Sequence, residues 1–506
     1  MLLLISINGF CQDSPNMIWS EPNQGLKGYE VSDLFGFNDD SFFVFRENRR
    51  KKFRYAIQKF STDSLKLLGE RIFNLPEVKG ETPKLISSIS IGKKQYLLAY
   101  TSEDEIGNVN IFAYEILTSP NIGAVPTLLA KANKTALYTE RTITAFKDEK
   151  NDLFTIIIPL ETEPQKNEKF QLLLFNSDLN KINSKQIEVP YPSDIMEYTE
   201  ALVDSSGSIY VLATIRNPSL TAINKDRNIG RNYSLFKYSW ESETLVEKSL
   251  SLGSKWLYDV RLFLNKNNNI QVAGYYSNMV DLIMAGTFSL EINKETGKVL
   301  NQGLNPFDRE FRSQFRPKGG IITEVELGMY KLDYVFPKKN GTTLFVSEKN
   351  FTETSTVFNP GTGTYSIITI YNYDEILLSL ISPSSKIEYN LMIPKYQSST
   401  SSYDDYTSYL AFSEGDKTFI IYNDNERNSS LSLTKEKGYR QLTSPSNCAA
   451  ILVVVHKDGQ MKKLPLYTAD KEKPVLNPKF FYQTSDGVVM LTESGFDSRF
   501  LKLKLK

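Results

Sequence analysis

The chain has 506 residues, of which 41% are hydrophobic and 12% aromatic, so it can bury a large core. Its 59 basic and 59 acidic residues cancel. This balance excludes the basic surface with which nucleic-acid-binding proteins hold phosphates, and we expect no nucleic acid among its partners. The 28 tyrosines and 30 phenylalanines suit the pleated, half-buried surfaces of β-strands.

The N-terminal stretch MLLLISINGFCQDS combines a short apolar run with a cleavage-like region. We expect residues 1–11 to be a secretory signal peptide whose start lies further upstream, because the usual positive region is missing. The apolar run is too short to span a bilayer, and no other segment is a candidate membrane helix. Cleavage after Cys11 is expected, with lipidation of Cys11 as the alternative. Cys448 is then the single cysteine, which excludes an internal disulfide.

A polar or glycine-containing turn followed by an apolar strand recurs along the chain, which indicates a repeat architecture. The copies are DDSFFVF (39–45), KKQYLLA (93–99), NDLFTIII (151–158), SGSIYVLA (206–213), NNIQVAG (268–274), NGTTLFVSE (340–348), GDKTFIIY (415–422) and SDGVVMLTE (485–493). Each is followed by a second apolar strand, at 54–61, 109–116, 170–177, 233–239, 285–293, 375–382, 449–456 and 498–505. We interpret these as the second and third strands of eight repeats.

A more polar fourth strand follows most of the repeats. Its copies lie at 66–75, 182–189, 245–252, 298–304, 387–393 and 460–467, with a weaker one at 126–132. The last repeat has no fourth strand after 498–505, whereas residues 16–21, NMIWSE, form an isolated strand-like segment. A ring of blades leaves an exposed edge unless both termini share one blade.

We therefore predict an all-β fold, a β-propeller of four-stranded antiparallel blades that occupies residues 12–506 and is closed by the N-terminal strand. Eight blades are expected, with seven as the alternative because the copy at 126–132 is weak. Helix is expected only between Pro306 and Pro317, where FDREFRSQF lies in a connection.

Four segments of the C-terminal half, 373–397, 409–428, 449–467 and 480–493, resemble a group of exported propeller-like proteins of Bacteroidetes. They cover about a quarter of the chain. The resemblance implies a propeller fold and a location in the cell envelope: the periplasm, the outer membrane or the cell surface, with peripheral membrane association. Proteins of this group occur as accessory subunits of envelope assemblies, including the type 9 secretion and gliding apparatus. The resemblance implies no catalytic site.

The sequence offers little catalytic chemistry. Its single histidine, His456, excludes a His-rich zinc site and a metalloprotease helix by count, and no phosphate-binding or nucleophile-elbow motif is present. We expect no cofactor, no metal and no catalytic residues. The alternative is a protein that binds or cleaves a glycan with paired carboxylates in the central channel, as some propellers do. The best local acidic cluster is Asp404–Asp405.

The predicted connections are short on one face of the ring and long on the other, at 216–232, 305–320, 349–374 and 395–405. Long loops on a rigid scaffold are a usual place for recognition. We predict that the long-loop side of the sixth blade binds a protein partner in the envelope, with an outer-membrane translocon as the partner that the resemblance implies. Large rings and arginines would supply the contacts. The candidate residues are Arg309, Arg312, Arg316, Phe351, Phe358, Tyr365, Tyr403 and Tyr406.

Overall fold

The structure, a computed structural model, describes most of the chain. The described residues are 16–22, 24–91, 93–103, 108–133, 144–148, 153–160, 165–216, 231–279, 283–315, 327–359, 361, 363–400, 406–433, 438–494 and 497–505. Within these ranges no helix is long and apolar enough to cross a membrane.

The described residues form eight antiparallel blades whose strands follow one another along the chain. The first half contains β1 (Asn16–Trp19), blade 1 with β2 (Tyr29–Asn38), β3 (Ser41–Asn48), β4 (Arg54–Ser61) and β5 (Leu67–Asn74), blade 2 with β6 (Lys84–Ile91), β7 (Lys94–Glu103), β8 (Asn108–Ile116) and β9 (Thr127–Asn133), blade 3 with β10 (Thr144–Asp148), β11 (Leu153–Pro159), β12 (Asn167–Asn176) and β13 (Lys181–Pro192), and blade 4 with β14 (Met196–Val203), β15 (Ile209–Arg216), β16 (Arg231–Ser239) and β17 (Thr244–Leu250).

The second half follows the same plan with a few additions. It contains blade 5 with β18 (Trp256–Leu264), β19 (Ile270–Ser277), β21 (Gly286–Ile292) and β22 (Val299–Pro306), blade 6 with β24 (Tyr330–Pro337), β25 (Thr343–Asn359), β26 (Thr364–Ile381) and β27 (Ile387–Ile393), blade 7 with β29 (Tyr409–Glu414), β30 (Lys417–Asn425), β31 (Cys448–Val455) and β32 (Met461–Thr468), and β33 (Val475–Thr484), β34 (Gly487–Ser494) and β35 (Asp497–Lys504) of blade 8. The additions are a small sheet of β20 (Ile283–Met284) and β23 (Leu327–Gly328), the edge strand β28 (Gln397–Ser399), helix α1 (Arg309–Ser313) and 3₁₀ turns at Glu426–Asn428 and Pro445–Asn447.

The prediction of eight propeller blades is confirmed. All eight predicted second strands and all eight third strands are present, and the weak fourth strand of blade 2 pairs with β8. The predicted helix is present as α1. The first strands line the inside of the ring, because each contacts the first strand of the neighbouring blade. Hydrogen bonds between side chains complete this inner circle at two junctions. Ser88 donates to Asp33 between blades 1 and 2, and Tyr409 donates to Asp333 between blades 6 and 7.

The second strands are apolar on both faces because each blade is packed between two others. In β3, Phe42 and Val44 pack against Phe500 of blade 8, whereas Phe43 and Phe45 belong to the cluster that includes residues of blade 2. Consecutive side chains of a strand point to opposite faces, so both sets are buried. This double burial explains why the second strands were the clearest pattern in the sequence.

The N-terminal strand closes the ring, as predicted. Strand β1 pairs antiparallel with β35, with Met17 opposite Leu503 and Trp19 opposite Leu501. The Trp19 ring meets the ring of Tyr467 edge-on at 4.9 Å, and the Ser20 N–H donates to the Phe500 carbonyl at 2.9 Å. Blade 8 therefore has four strands, and β35 has no open edge.

The prediction of a long loop at 349–374 is wrong, because strands β25 and β26 occupy residues 349–359 and 364–374. Strands β25 and β26 continue past the edge of blade 6 and stay paired from Asn350↔Tyr373 to Asn359↔Thr364. We call this hairpin, residues 350–359 and 364–373, the arm. Alternating β-branched and aromatic residues favour strand on both sides of the turn, which explains the extension.

Ring closure can be tested by truncation. Deleting residues 12–24 should lower the free energy of unfolding by about 3 kcal/mol or more, because it removes a hydrogen-bonded strand and the buried surface of Trp19. Denaturant unfolding followed by fluorescence would measure the loss. A chain lacking only residues 12–15 is the control and should match the full chain. Equal midpoints for both truncations would mean that the ring closes without β1.

Candidate functional site

The arm carries an exposed apolar surface on one of its faces. The Phe358 and Tyr365 rings are directly opposite in the strand pairing, with centroids 5.0 Å apart. Ile367 follows two positions later on the same face. Phe358 is 50% exposed, Tyr365 73% and Ile367 77%. We call these three residues the apolar face of the arm.

The root of the arm contains a buried ion pair. The Lys395 side chain is fully buried, and its Nζ lies 2.8 Å from Oε1 of Glu348, which lies in β25 two residues before the arm begins. The same Nζ donates to the Tyr373 carbonyl at 2.7 Å, at the base of the returning strand. Ser408 Oγ donates to the other Glu348 oxygen at 2.8 Å. One lysine thus contacts both strands at the point where they leave the blade.

A buried amide extends this network into the next blades. Gln397 Oε1 accepts from Lys395 Nζ at 3.1 Å and from the Ser408 N–H at 2.6 Å. Its Nε2 donates to the Asn423 carbonyl at 2.7 Å, in blade 7. Asn423 Nδ2 in turn donates to the Leu476 carbonyl of blade 8 at 2.7 Å. These hydrogen bonds join the base of the arm in blade 6 to blades 7 and 8, although Asn423 Oδ1 is buried without a hydrogen bond among the described residues.

The predicted partner-binding residues fall into four groups: the arm, the interior, helix α1 and the residues outside the described ranges. Phe351, Phe358 and Tyr365 lie on the arm, although Phe351 is half-buried at its base, where Lys349 Nζ lies 5.3 Å from its ring centroid. Tyr406 is only 8% exposed and donates its hydroxyl to the Ser398 carbonyl at 3.2 Å, so it belongs to the interior. Arg316 and Tyr403 lie outside the described residues, as does the acidic pair 404–405.

Arg309 and Arg312 lie on α1 in the connection between blades 5 and 6. Asp308 caps this helix, accepting from the Phe311 N–H at 2.7 Å. The rings of Phe307, Phe311 and Phe315 are buried beneath it and hold it against the ring of blades. Arg309 is exposed and Arg312 is half-buried. Of these two arginines, Arg309 is therefore the more accessible to a partner.

Sequence reasoning missed a row of acidic residues on the inner strands. They are Asp33 in β2, Glu200 in β14, Asp259 in β18 and Asp333 in β24, each beside an irregularity in the pairing with the second strand. The recurring segments VSDLF, YTEAL, LYDVR and KLDYV carried this signal.

Each of these carboxylates accepts a hydrogen bond from the next blade. Asp33 accepts from the Ser88 hydroxyl. Glu200 accepts from the Leu262 N–H at 2.6 Å, and Asp259 from the Leu332 N–H at 2.5 Å. Asp333 accepts from the Tyr409 hydroxyl at 3.0 Å. The acids therefore tie neighbouring blades together around the channel.

Burial changes the ionisation of this row. It raises the pKa of Asp33, Glu200 and Asp259, although Arg261 opposes the rise for the last two. Burial, together with the Glu348 carboxylate, raises the pKa of Asp333 to about 7. Asp333 therefore changes its charge near neutral pH.

The other candidates for chemistry are few. His456 lies in the turn after β31, where its backbone N–H donates to the Gln460 carbonyl at 2.9 Å. Cys448 is buried, and burial raises the pKa of its thiol. Among the described residues, no three His, Cys, Asp or Glu side chains form a group that could hold a metal ion.

Comparison with known proteins adds little beyond the fold class. No protein-family model matches the sequence, and no curated protein is similar to it. The chain is similar to the β-propeller domain of the trilobed protease from Pyrococcus furiosus, with 11% identity, a TM-score of 0.37 and coverage of 87% of this chain and 99% of that one. It is also similar to a protein of unknown function from Bacteroides caccae, with 11% identity, a TM-score of 0.29 and coverage of 67% and 89%.

Enzymes occur among the similar structures as well. One is a europium-containing methanol dehydrogenase, with 9% identity, a TM-score of 0.42 and coverage of 93% of this chain and 85% of that one. The order of the strands and the closed inner circle of first strands define the fold of this chain. The structure thus defines an eight-bladed β-propeller with a projecting hairpin arm on blade 6.

The titration of Asp333 predicts a pH-dependent stability. An unfolded Asp has a pKa of about 3.9, so between about pH 4 and 7 the folded chain binds more protons, and the free energy of unfolding falls as the pH rises. Asp333→Asn removes the titration while its amide oxygen can still accept from Tyr409. It should stabilise the chain at pH 8 by up to about 4 kcal/mol and have little effect at pH 4.

Denaturant midpoints at the two pH values measure the effect. Asp416→Asn is the matched control, because the Asp416 side chain is 78% exposed. A stabilisation of the same size at both pH values would contradict the assignment of the titration to Asp333.

Proposed function

We propose that this chain is a non-catalytic interaction module of the cell envelope, which binds a protein partner through the arm of blade 6. The observation that carries the proposal is the combination of an exposed apolar face with a buried anchor. Phe358, Tyr365 and Ile367 lie in contact with solvent, while Lys395 and Glu348 hold the base of the hairpin.

The exposure of the apolar face and the order of the hairpin both favour binding. Exposed apolar side chains gain free energy when a partner removes them from water. Ordering a flexible loop on binding would consume part of that gain, whereas a hairpin that is already paired loses little. Tyr365 and Phe358 also offer large contact areas with few rotatable bonds. The arm therefore has the properties of a preorganised binding element.

The cellular location belongs to the same proposal. The signal-like N-terminal stretch and the resemblance to exported Bacteroidetes propellers support export to the periplasm, the outer membrane or the cell surface. Within that compartment, the resemblance favours an outer-membrane translocon of the type 9 secretion apparatus as the partner. The chain would be an accessory subunit there, associated peripherally.

A protein that binds or cleaves glycans in its channel is the second candidate. The observation in its favour is Asp333, because glycoside hydrolysis needs a general acid with a raised pKa. The glycan function ranks second because Asp333 already accepts a hydrogen bond from the Tyr409 hydroxyl. Glu200 and Asp259 likewise accept hydrogen bonds from the neighbouring blade. A glycan-active channel would need these bonds to open.

Shortening the arm tests the proposed function. Residues 354–369 are removed, and Glu353 is joined to its cross-strand partner Ile370 by Asn-Gly, which favours a two-residue hairpin turn. The ring should keep its melting temperature, because the anchor at Lys395 is untouched. Capture of the envelope partner should weaken tenfold or more, about 1.4 kcal/mol.

Two further variants sharpen the result. Replacing Phe358, Tyr365 and Ile367 together by Ser, Ser and Thr keeps the arm but removes its apolar face, and should weaken capture as strongly. Replacing Lys457 and Asp458 by Ser alters the opposite face of the ring and should have no effect. Undiminished capture by the shortened arm, with loss in the Lys457/Asp458 variant, would place the interface on the other face.

A further inference from the structure

The outer edge of β26 is covered by strand only in part. Strand β27 pairs with β26 from Ile376 to Ile381, and β28 pairs with it from Tyr371 to Tyr373. From Tyr365 to Ile370, no strand of the described chain lies on this edge. The same edge of β26 that already accepts β28 thus continues outward along the arm, where no other strand of the described ranges pairs with it.

The direction of the backbone groups on this edge follows from the base of the arm. The Asn350 N–H donates to the Met329 carbonyl at 2.8 Å, so the backbone N–H and C=O groups of Asn350 point away from β26. Tyr373 lies opposite Asn350, so the backbone N–H and C=O groups of Tyr373 must point away from β25. The Tyr373 carbonyl does accept a hydrogen bond from Lys395 on that outer side. Alternation along the strand directs the N–H and C=O groups of Thr369, Ile367 and Tyr365 toward the open edge.

This edge lacks the features that keep strands apart. Natural edge strands are protected by charged residues, prolines or bulges. Residues 365–370, YSIITI, contain no charge and no proline, and their pairing with β25 is regular. They are also strong β-formers. The one charged residue among 351–358 and 365–370 is Glu353, which lies on the other strand of the hairpin.

We infer that two copies of this chain pair their arms antiparallel along this edge, about a two-fold axis at Ile367. Ile367 is the midpoint of residues 364–370, and its backbone groups face the open edge, as a symmetric hydrogen-bonded pair requires. Ile367 then lies opposite Ile367 of the second copy, and Tyr365 lies opposite Thr369 of the second copy. Aromatic and β-branched cross-strand pairs of this kind are favourable.

The charge of the edge favours a second copy as the occupant. In a two-fold interface a residue near the axis lies close to its own copy, so a charged residue there would repel its counterpart. The pairing residues 364–370 contain no ionisable side chain apart from the hydroxyl of Tyr365. Glu353 lies on β25, the other strand of the hairpin. A stable interface uses about 20–30 residues a side, so this much shorter pairing is expected to be reversible at micromolar concentrations.

The pairing also enlarges the surface described above. The two-fold axis of an antiparallel pair is perpendicular to the sheet, so both apolar faces lie on the same side of the resulting four-stranded sheet. The use of that larger surface for docking rests on the proposed function. The dimer itself does not, and it is tested separately.

Sedimentation velocity of the purified chain over a range of about 1 to 200 µM tests the dimer. Thr369 and Thr354 are directly paired in the hairpin, and their N–H groups face its two opposite edges. Proline removes one edge donor and is tolerated on an edge strand. Thr369→Pro should weaken dimerisation tenfold or more, whereas Thr354→Pro, on the edge of β25, should leave it unchanged.

A second pair of variants guards against a folding defect in the proline variants. Ile367→Lys places two like charges at the two-fold axis and should abolish the dimer, whereas Thr356→Lys, its cross-strand partner, should not. A wild-type chain that stays monomeric throughout the range overturns the inference, and partner capture by the arm would then show that the proposed function still stands. A dimer that survives both Thr369→Pro and Ile367→Lys overturns it as well, because another surface would be responsible.

Discussion

The antiparallel pairing of β1 with β35 is the contact on which the rest of the structure depends. Each blade buries both of its faces against neighbours, so one missing contact would expose a whole apolar layer. The junction of blades 8 and 1 shows this directly, because the Phe42 and Phe500 rings meet there at 5.1 Å. Strand β1 completes the blade that presents Phe500. A closed ring is stiff, and it can carry insertions on one face without disturbing its core.

The arm is anchored to this stiff ring by the ion pair of Lys395 and Glu348. Lys395 and Glu348 are both buried, and removing such a pair from water is costly unless other hydrogen bonds offset part of the cost. Here the pair is bonded to Ser408, Gln397 and the Tyr373 carbonyl. Such a network favours one geometry over others more than it adds stability. It fixes the direction in which the hairpin leaves blade 6, and so turns a long insertion into a rigid projection.

The sequence predicts the ring well and the site only in part. Second strands such as SFFVF are apolar on both faces, so their burial between blades is visible as a pattern. From the sequence, a loop is predicted where the arm lies, although Thr occupies alternate positions before the turn, at 352, 354 and 356, and the segment YSIITI follows it. The Tyr406 ring was expected outside, but β28 and Leu442 cover it. The inner acids recur in similar local segments such as VSDLF and LYDVR. The hydrogen bonds that they accept join neighbouring blades, and a local pattern does not show those contacts.

Site-specific photo-crosslinking in living cells tests the central claim, that partners meet this protein at the arm. A benzophenone side chain is placed at Tyr365 in one variant and at Asp458, in an exposed turn on the opposite face, in another. The account predicts light-dependent adducts of higher mass from position 365 and none from position 458. Adducts from position 458 alone would contradict it.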